Sequence, residues 1–439
     1  MSNKDLIKGF SRLSREEKIE IIASGLSDHD GFIREIRQLQ HPDPEIQDNL
    51  NNFSENSISN FPLPYGIAPN FLINGHHYLV PMVIEESSVV AAASSASRFW
   101  FQRGGFHAEV KNMLKIGQVH FLWKDDPDRL KSSFAELRDR ILQGTKHITG
   151  KMEERGGGIT QIELVDLTGK IKNAYQLRFS FNTAESMGAN FINSVLEESA
   201  IIMKNFFQQE GDPGSPIEIL MAILSNYTPE CIVKVETRGN IKDLEVKGSS
   251  LSGKDFARRF VQAVEIAKND VYRAVTHNKG IFNGIDAVII ATGNDYRAIE
   301  AAGHAYASRN GQYSSLSYSE LSEGEFVHGL EIPMALGTVG GLTRLHPLAK
   351  WSFEILEDPD APTLMMIAAS AGLANNFSAI RSLVTVGIQK GHMKMHLDNI
   401  LAFLGATVDE SEKAHKEFTN KTISHSGVEN FLKQIRSKK

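Results

Sequence analysis

A single cysteine, Cys231, in 439 residues excludes an intramolecular disulfide framework and any zinc site built on thiolates. Followed by Ile232 and Val233, it reads as a buried strand residue behaving as a small hydrophobe. Basic charge is also short. The 47 Lys and Arg stand against 53 Asp and Glu, a formal charge of -6, so the chain lacks the basic excess that phosphate neutralisation on a nucleic acid requires. No apolar run approaches the roughly 20 residues of a membrane span, and the segment from Met1 to Lys8 has no apolar centre for a signal peptide. No membrane association is expected, and the cytoplasm is the expected compartment. Internal repeats, low-complexity tracts and a Gly-x-Gly-x-x-Gly fingerprint in a strand-helix-strand setting are all missing.

What is present is a mixed α+β and α/β pattern, long enough for two or three domains at about 100 to 200 residues each. Ser14 and Glu17 have the spacing of a capping box before Ile19, Ile21 and Ile22. An Asn-rich stretch from Asp48 to Asn60 leads to Phe61-Pro-Leu-Pro-Tyr-Gly66, which forbids regular helix. Val119, Phe121 and Trp123 alternate as a strand, and Leu130, Phe134, Leu137 and Ile141 then recur at helical spacing. Alternating runs from Ile162 to Leu167 and Leu177 to Phe181, a helix from about Ser186 to Phe207 and a strand from Ile217 to Ile223 complete a βαββαβ order, the ferredoxin-like arrangement. This predicts an inserted domain at 113–228 between two parts of a larger domain, 1–112 and 229–388. A helical unit follows at 389–439, with capping boxes expected at Thr407 to Glu410 and Ser426 to Glu429, and Gly405 ending the helix before them.

The densest polar stretch runs from Tyr272 to Asp295. The apolar run Ile285 to Ile290, broken by Asp286, reads as a buried strand with Lys279 before it and Asp295 after it, and a lysine and a carboxylate buried together would perturb each other's proton affinity. Glu85 and Glu86 stand between a largely apolar run and a small-residue stretch, either as a charged first helical turn or as a carboxyl at a strand-to-helix junction. Glu185-Ser-Met-Gly188-Ala-Asn190 opens a helix whose N-terminus suits a pyrophosphate. Gly156-Gly157-Gly158 reads either as a turn beside a ligand or as a hairpin approach. His392 and His396 share a helical face, which raises zinc, but no glutamate lies between them and Lys394 adds positive charge. A structural pair or a proton donor on a mobile segment are the other readings. His76-His77 reads as a turn entering a strand, and His277 as a residue orienting its loop.

Taken together, Glu86-Ser-Ser-Val-Val-Ala, Met187-Gly-Ala-Asn190, His277-Asn-Lys-Gly-Ile-Phe-Asn-Gly284, Gly293-Asn-Asp295 and Gly391-His-Met393 resemble the class II, bacterial-type 3-hydroxy-3-methylglutaryl-CoA (HMG-CoA) reductases over about residues 10 to 430. The resemblance implies a large CoA-binding domain interrupted by a ferredoxin-like cofactor domain, a C-terminal helical flap, and a homodimer with active sites at the subunit interface. It implies conversion of HMG-CoA to mevalonate and free CoA by two hydride transfers and no metal. Lys279 would hold the oxyanion, Glu86 donate a proton, Asp295 hydrogen-bond with both, and His392 protonate the departing thiolate. Arg273 would take the HMG carboxylate, with Ser88 and Asn283 as hydrogen-bonding partners. The cofactor would lie on Glu185, Met187, Gly188 and Asn190, although the family's motif begins Asp-Ala where this chain has Glu185-Ser186. NADH-specific members carry an acid where Thr149 stands here, and with Lys146, Lys151 and Arg155 nearby NADPH is expected over NADH, against Glu153 and Glu154. The same catalytic residues would serve mevalonate oxidation. A catalytically silent CoA- or nucleotide-binding protein is the reading from another class.

Overall fold

The computed structural model describes residues 7–208, 216–245, 251–343, 345–385, 397–398, 400–418, 421 and 423–437. Helix α1 (Arg15–Ala23) starts on the expected capping box, with Ser14 and Glu17 bonding reciprocally. The side chains of Asp28 and Asp43 cap α2 (His29–Gln38) and α3 (Pro44–Asn51) by accepting from first-turn N–H groups. Strands β1 (Tyr65–Ile73) and β2 (His76–Val83) form an antiparallel hairpin. Its turn is Asn74-Gly75, both at positive φ, which is the twist that joins adjacent strands best. His76 and His77 accordingly begin a strand. A loop at 84–88 leads to α4 (Val89–Phe101) and then β3 (His107–Val110).

The chain next builds the expected βαββαβ unit: β4 (Lys115–Trp123), α5 (Pro127–Gly144), β5 (Gly158–Asp166), β6 (Ala174–Asn182), α7 (Ala189–Phe207) and β7 (Ile217–Ser225). A helix that periodicity did not indicate, α6 (Lys146–Glu153), precedes the triple glycine. The sheet order β5-β6-β4-β7, antiparallel throughout, is that of a ferredoxin-like fold. Val119, Phe121 and Trp123 face inward against Leu130, Leu137 and Ile141 of α5 and Val195, Leu196 and Met203 of α7.

The return crossing leads through buried Cys231, whose thiol burial pushes up to about 11, into β8 (Ile232–Asn240). The two crossing segments pair with each other through Lys111 N–H to Ile232 O, 2.8 Å, and Ile232 N–H to Asn112 O, 3.1 Å. Helices α8 (Gly253–Asn269), α9 (Val271–Ala291) and α10 (Tyr296–Ala307) follow, then β9 (Ser317–Ser322), β10 (Glu325–Pro333), α11 (Pro347–Ile355) and α12 (Ala361–Val384). The second sheet runs β3-β8-β10-β9, antiparallel, and α12 packs on it and against α4, α8 and α9. By length and composition α12 passes for a membrane span, but 83% of its most apolar window is buried inside the protein, as a core helix requires. In the C-terminal segment, α13 (Val408–Glu417) keeps the expected capping box at Thr407, and Gly405 at φ +59 ends the turn before it. The second expected box is displaced: α14 (His425–Arg436) is capped by Ser424, not Ser426, through Gly427 N–H.

The expected strand at Ile285 to Ile290 is the C-terminal half of α9. The buried positions Ala274, His277, Ile281, Ile285, Val288 and Ile289 recur at three and four, a helical period. The last turns meet neighbours on several sides, so almost every residue there is apolar and the periodicity is lost. Two glycines let α9 and α12 approach closely. A Cβ on Gly284 would overlap the backbone carbonyl of Ala371, and one on Gly372 would lie 2.6 Å from Ile285 Cγ1. Gly284→Ala should therefore cost about 1–3 kcal/mol in denaturant unfolding, despite alanine's higher helix propensity. Gly280→Ala, where a Cβ meets nothing within 4 Å, should be neutral or stabilising on the same helix. Equal effects of the two substitutions would contradict the close crossing.

Candidate active site

Helix α9 lies against β2 and α4, and this packing brings Lys279 to the loop that carries Glu86. Lys279 Nζ donates to Glu86 Oε2 at 2.7 Å, and Asn283, one turn along α9, donates to the same oxygen at 3.4 Å. Ser88 at the start of α4 donates to the other oxygen at 3.3 Å. Three residues expected at the site thus converge, from two distant segments, on the carboxylate of a fourth, Glu86. The pair is not buried: the Lys279 side chain is 61% exposed and that of Glu86 35%, so one side of the site stands open to solvent in the single chain.

Beneath it, α9 is fastened by neutral groups. His277 bonds Ser317 Oγ at 2.6 Å and lies 3.2 Å from Asn376 Nδ2, and burial with the nearby Arg273 charge pulls its pKa down to about 3. Asn278 donates to Tyr313 and Ser314 and accepts from Leu316 N–H. These two residues anchor the helix rather than orient a loop. Arg273, in the first turns of α9, is half-buried, and burial lowers its pKa. Its guanidinium has no partner among the described residues.

Asp295 is elsewhere. It caps α10, accepting from Arg297 N–H at 3.1 Å and Ala298 N–H at 3.2 Å, and pairs with Arg297 Nε at 3.3 Å. Because Lys279 and Ala291 belong to one continuous helix, the rise of 1.5 Å per residue separates them by roughly 18 Å, and Asp295 lies beyond that end. The expected hydrogen bonds from Asp295 to Lys279 and Glu86 are therefore absent within one chain.

The Glu185 loop takes another form than expected. One carboxylate oxygen of Glu185 accepts from Thr338 Oγ1 and from Ala361 N–H at the start of α12, each at 2.8 Å, so this side chain joins the two units. Gly188, at φ +87, precedes α7, whose first turn has no side-chain cap and no acidic residue. Asn190 in that turn is exposed, and the triple glycine is adjacent, since Gly158 pairs with Asn182. Thr149 is buried and donates to Glu153 at 2.6 Å, while Lys146 is held by Glu153 as well. Of the expected phosphate-facing cations, Lys151 and Arg155 stay exposed. His392 and His396 lie outside the described residues. Among the described residues no three His, Cys, Asp or Glu come together as a metal site would need.

Two ionisable groups escaped the sequence reading of roles: Lys115, which is buried, and Asp286, which is part-buried. Lys115 was legible in principle, being in phase with Val119, Phe121 and Trp123 on the inward face of β4. The other, Asp286, packs against Glu300 of α10, a contact that sequence spacing does not reveal.

A large unit carrying a lysine-carboxylate pair and an inserted ferredoxin-like unit with a glycine-framed helix start define a two-unit α/β enzyme suited to carbonyl chemistry. The sequence profile of the hydroxymethylglutaryl-coenzyme A reductases matches residues 14–397. The chain is 36% identical to the 3-hydroxy-3-methylglutaryl-coenzyme A reductase of Archaeoglobus fulgidus over 409 residues, covering 93% of this chain and 89% of the relative. It is 34% identical to a probable 3-hydroxy-3-methylglutaryl-coenzyme A reductase of Borreliella burgdorferi over 362 residues, 82% and 79% of the two chains. It superposes on the Streptococcus pneumoniae 3-hydroxy-3-methylglutaryl-coenzyme A reductase with a TM-score of 0.70 at 34% identity, covering 98% and 99%. The class II enzyme of that organism bound to NADPH in open conformations gives 0.69 at 36%, covering 86% and 99%. The chain belongs to the hydroxymethylglutaryl-coenzyme A reductase family, in its class II branch.

Burial and the neighbouring Glu300 push Asp286 up to about 8, so its carboxyl holds a proton in the folded state that an unfolded carboxyl loses near pH 4. A folded pKa above the unfolded one gives stability that is complete below about pH 4 and is lost as pH rises towards about 8. Wild-type unfolding free energy should decline from about pH 5 to 8, and Asp286→Asn should flatten the decline. Parallel slopes in urea titrations at several pH values would contradict the shared proton.

Proposed function

We propose that the Lys279–Glu86 pair is the reaction centre of a reductase that takes HMG-CoA to mevalonate and free CoA at the expense of NADPH. The convergence of Lys279, Asn283 and Ser88 on the Glu86 carboxylate carries this reading. Lys279 places an ammonium where the thioester carbonyl oxygen gains charge, an interaction that strengthens once water is excluded. Glu86, hydrogen-bonded to that ammonium, is set to pass a proton to the oxygen of the aldehyde. The half-buried Arg273, without a partner among the described residues, lies six residues back on the same helix, with a planar fork for the substrate's free carboxylate. His392 supplies the proton for the leaving thiolate from the C-terminal segment, 389–439, which acts as a flap over the site.

The 113–228 unit is the nicotinamide-binding domain in this reading. Its residues fit a dinucleotide: the uncapped N–H groups of α7, which follow Gly188, suit a diphosphate. Exposed Lys151 and Arg155 suit the 2'-phosphate of NADPH. When bound, NADPH supplies the hydride to each carbonyl in turn, two equivalents and two protons per thioester reduced to the alcohol.

Asp295 reaches this centre from a second copy of the chain. The length of α9 supports that assignment, as do exposed apolar side chains on both halves: Tyr272, 90% exposed, and Val275 beside Lys279, and Leu342, Leu345 and Trp351 following the loop that abuts Gly293. The proposed enzyme is therefore a homodimer acting in the cytoplasm. Purified protein with HMG-CoA should oxidise NADPH faster than NADH, followed by nicotinamide absorbance. Lys279→Ala should cut kcat by about 10²–10³ or more, with at most about 1 kcal/mol change in unfolding free energy because the pair is exposed. No oxidation of either cofactor, or an active Lys279→Ala enzyme, would overturn the reading.

A further inference from the structure

The inward face of β4 carries a lysine among core residues. Lys115 is 2% exposed, and its ammonium donates to Thr183 Oγ1 at 2.5 Å and to the Ser186 carbonyl at 2.9 Å, both neutral acceptors. Glu185, whose charge it feels, spends its carboxylate on Thr338 and Ala361. Burial accordingly lowers the Lys115 pKa. A methionine would fill the same space without desolvating a cation, so the lysine's presence calls for another explanation than packing.

The ammonium lies at the centre of one turn. The Ser186 carbonyl accepts from Thr183 Oγ1 as well, at 2.6 Å, and Ser186 N–H returns to Thr183 O at 3.0 Å. The peptide is trans, so a Ser186 carbonyl drawn inward turns the Met187 N–H the other way. There the large unit comes close: a Cβ on Gly337 would lie 2.5 Å from the Met187 nitrogen, and Thr338 N–H bonds Glu185 O at 2.8 Å. Lys115 and Met187 also share the wall of a cleft with Thr228 and Ala298, and Ala298 N–H is one that Asp295 caps.

We propose that Lys115 is a positioning residue for the dinucleotide: by holding the Ser186 carbonyl beneath the turn, it fixes Met187, Gly188 and the uncapped start of α7 where the cofactor's diphosphate lies. The proposal rests on the reading of this loop as the NADPH site. Its test is a nicotinamide-fluorescence titration of the full-length protein with NADPH alone, alongside steady-state KM values for both ligands. Lys115→Met leaves no orphaned acceptor, since Thr183 still serves Ser186. It should weaken NADPH binding about tenfold, with a matching rise in the NADPH KM and an HMG-CoA KM within about twofold of wild type. Thr183→Val, which cuts the same knot from its other member, should shift NADPH affinity in the same direction and carries the test if the lysine variant does not fold. Wild-type affinity for NADPH in these variants would overturn the proposal, and so would equal losses for both ligands. A wild-type protein that binds no NADPH would instead remove the reductase reading, and the proposal with it.

Discussion

Between Lys279 and the end of α9 lie twelve residues of unbroken helix, roughly 18 Å at the α-helical rise. That length decides which groups a single chain can bring together. Lys279 and Asn283, near the middle of the rod, reach the Glu86 loop. Asp295 is carried to the far end, where it caps α10 next to Asn294, whose side chain accepts from Gly337 N–H in the loop that meets the ferredoxin-like unit. In the proposed dimer, one chain holds the Lys279 ammonium of one site and the Asp295 carboxylate of the other. The rod is held in place because α12 crosses it through Gly284 and Gly372, and because His277 and Asn278 tie it to the strand and loop beneath.

The small unit was readable from the sequence because its main strands and helices each have one wet face. Alternation in Val119, Phe121 and Trp123 and helical spacing in Leu130, Leu137 and Ile141 each point inward to one core. The capping boxes at Ser14 and Thr407 were equally legible, since a cap is a local bond. The end of α9 was not. A helix enclosed on several sides becomes largely apolar all round, and Ile285 to Ile290, apolar but for Asp286, looks like a strand. That misreading placed Lys279 and Asp295 at the two ends of a short strand and made them neighbours.

The site residues were legible as members of a set, through motifs, but not as a geometry. Nothing in the spacing of Glu86 and Lys279 predicts a 2.7 Å contact, and nothing in the Glu185 motif predicts that its carboxylate joins Thr338 and the start of α12. Lys115 shows the converse: its phase on β4 was available, but a lysine in a strand is ordinarily assigned to the wet face. Electrostatics then separate the two kinds of lysine. Lys279 is exposed and paired with an acid, which suits a group awaiting substrate. Lys115 is buried among neutral acceptors, which suits a group that shapes backbone.

In the proposed homodimer each reaction centre takes Lys279 from one copy and Asp295 from the other. Mixed dimers test it directly. Lys279→Ala and Asp295→Asn enzymes should each be inactive, but co-expressed they should recover about one quarter of wild-type kcat, because half of the dimers are mixed and each of those contains one intact site. If both residues served the same site from one chain, every site in a mixed dimer would carry a lesion. Co-expressed material as inactive as either parent would contradict the account.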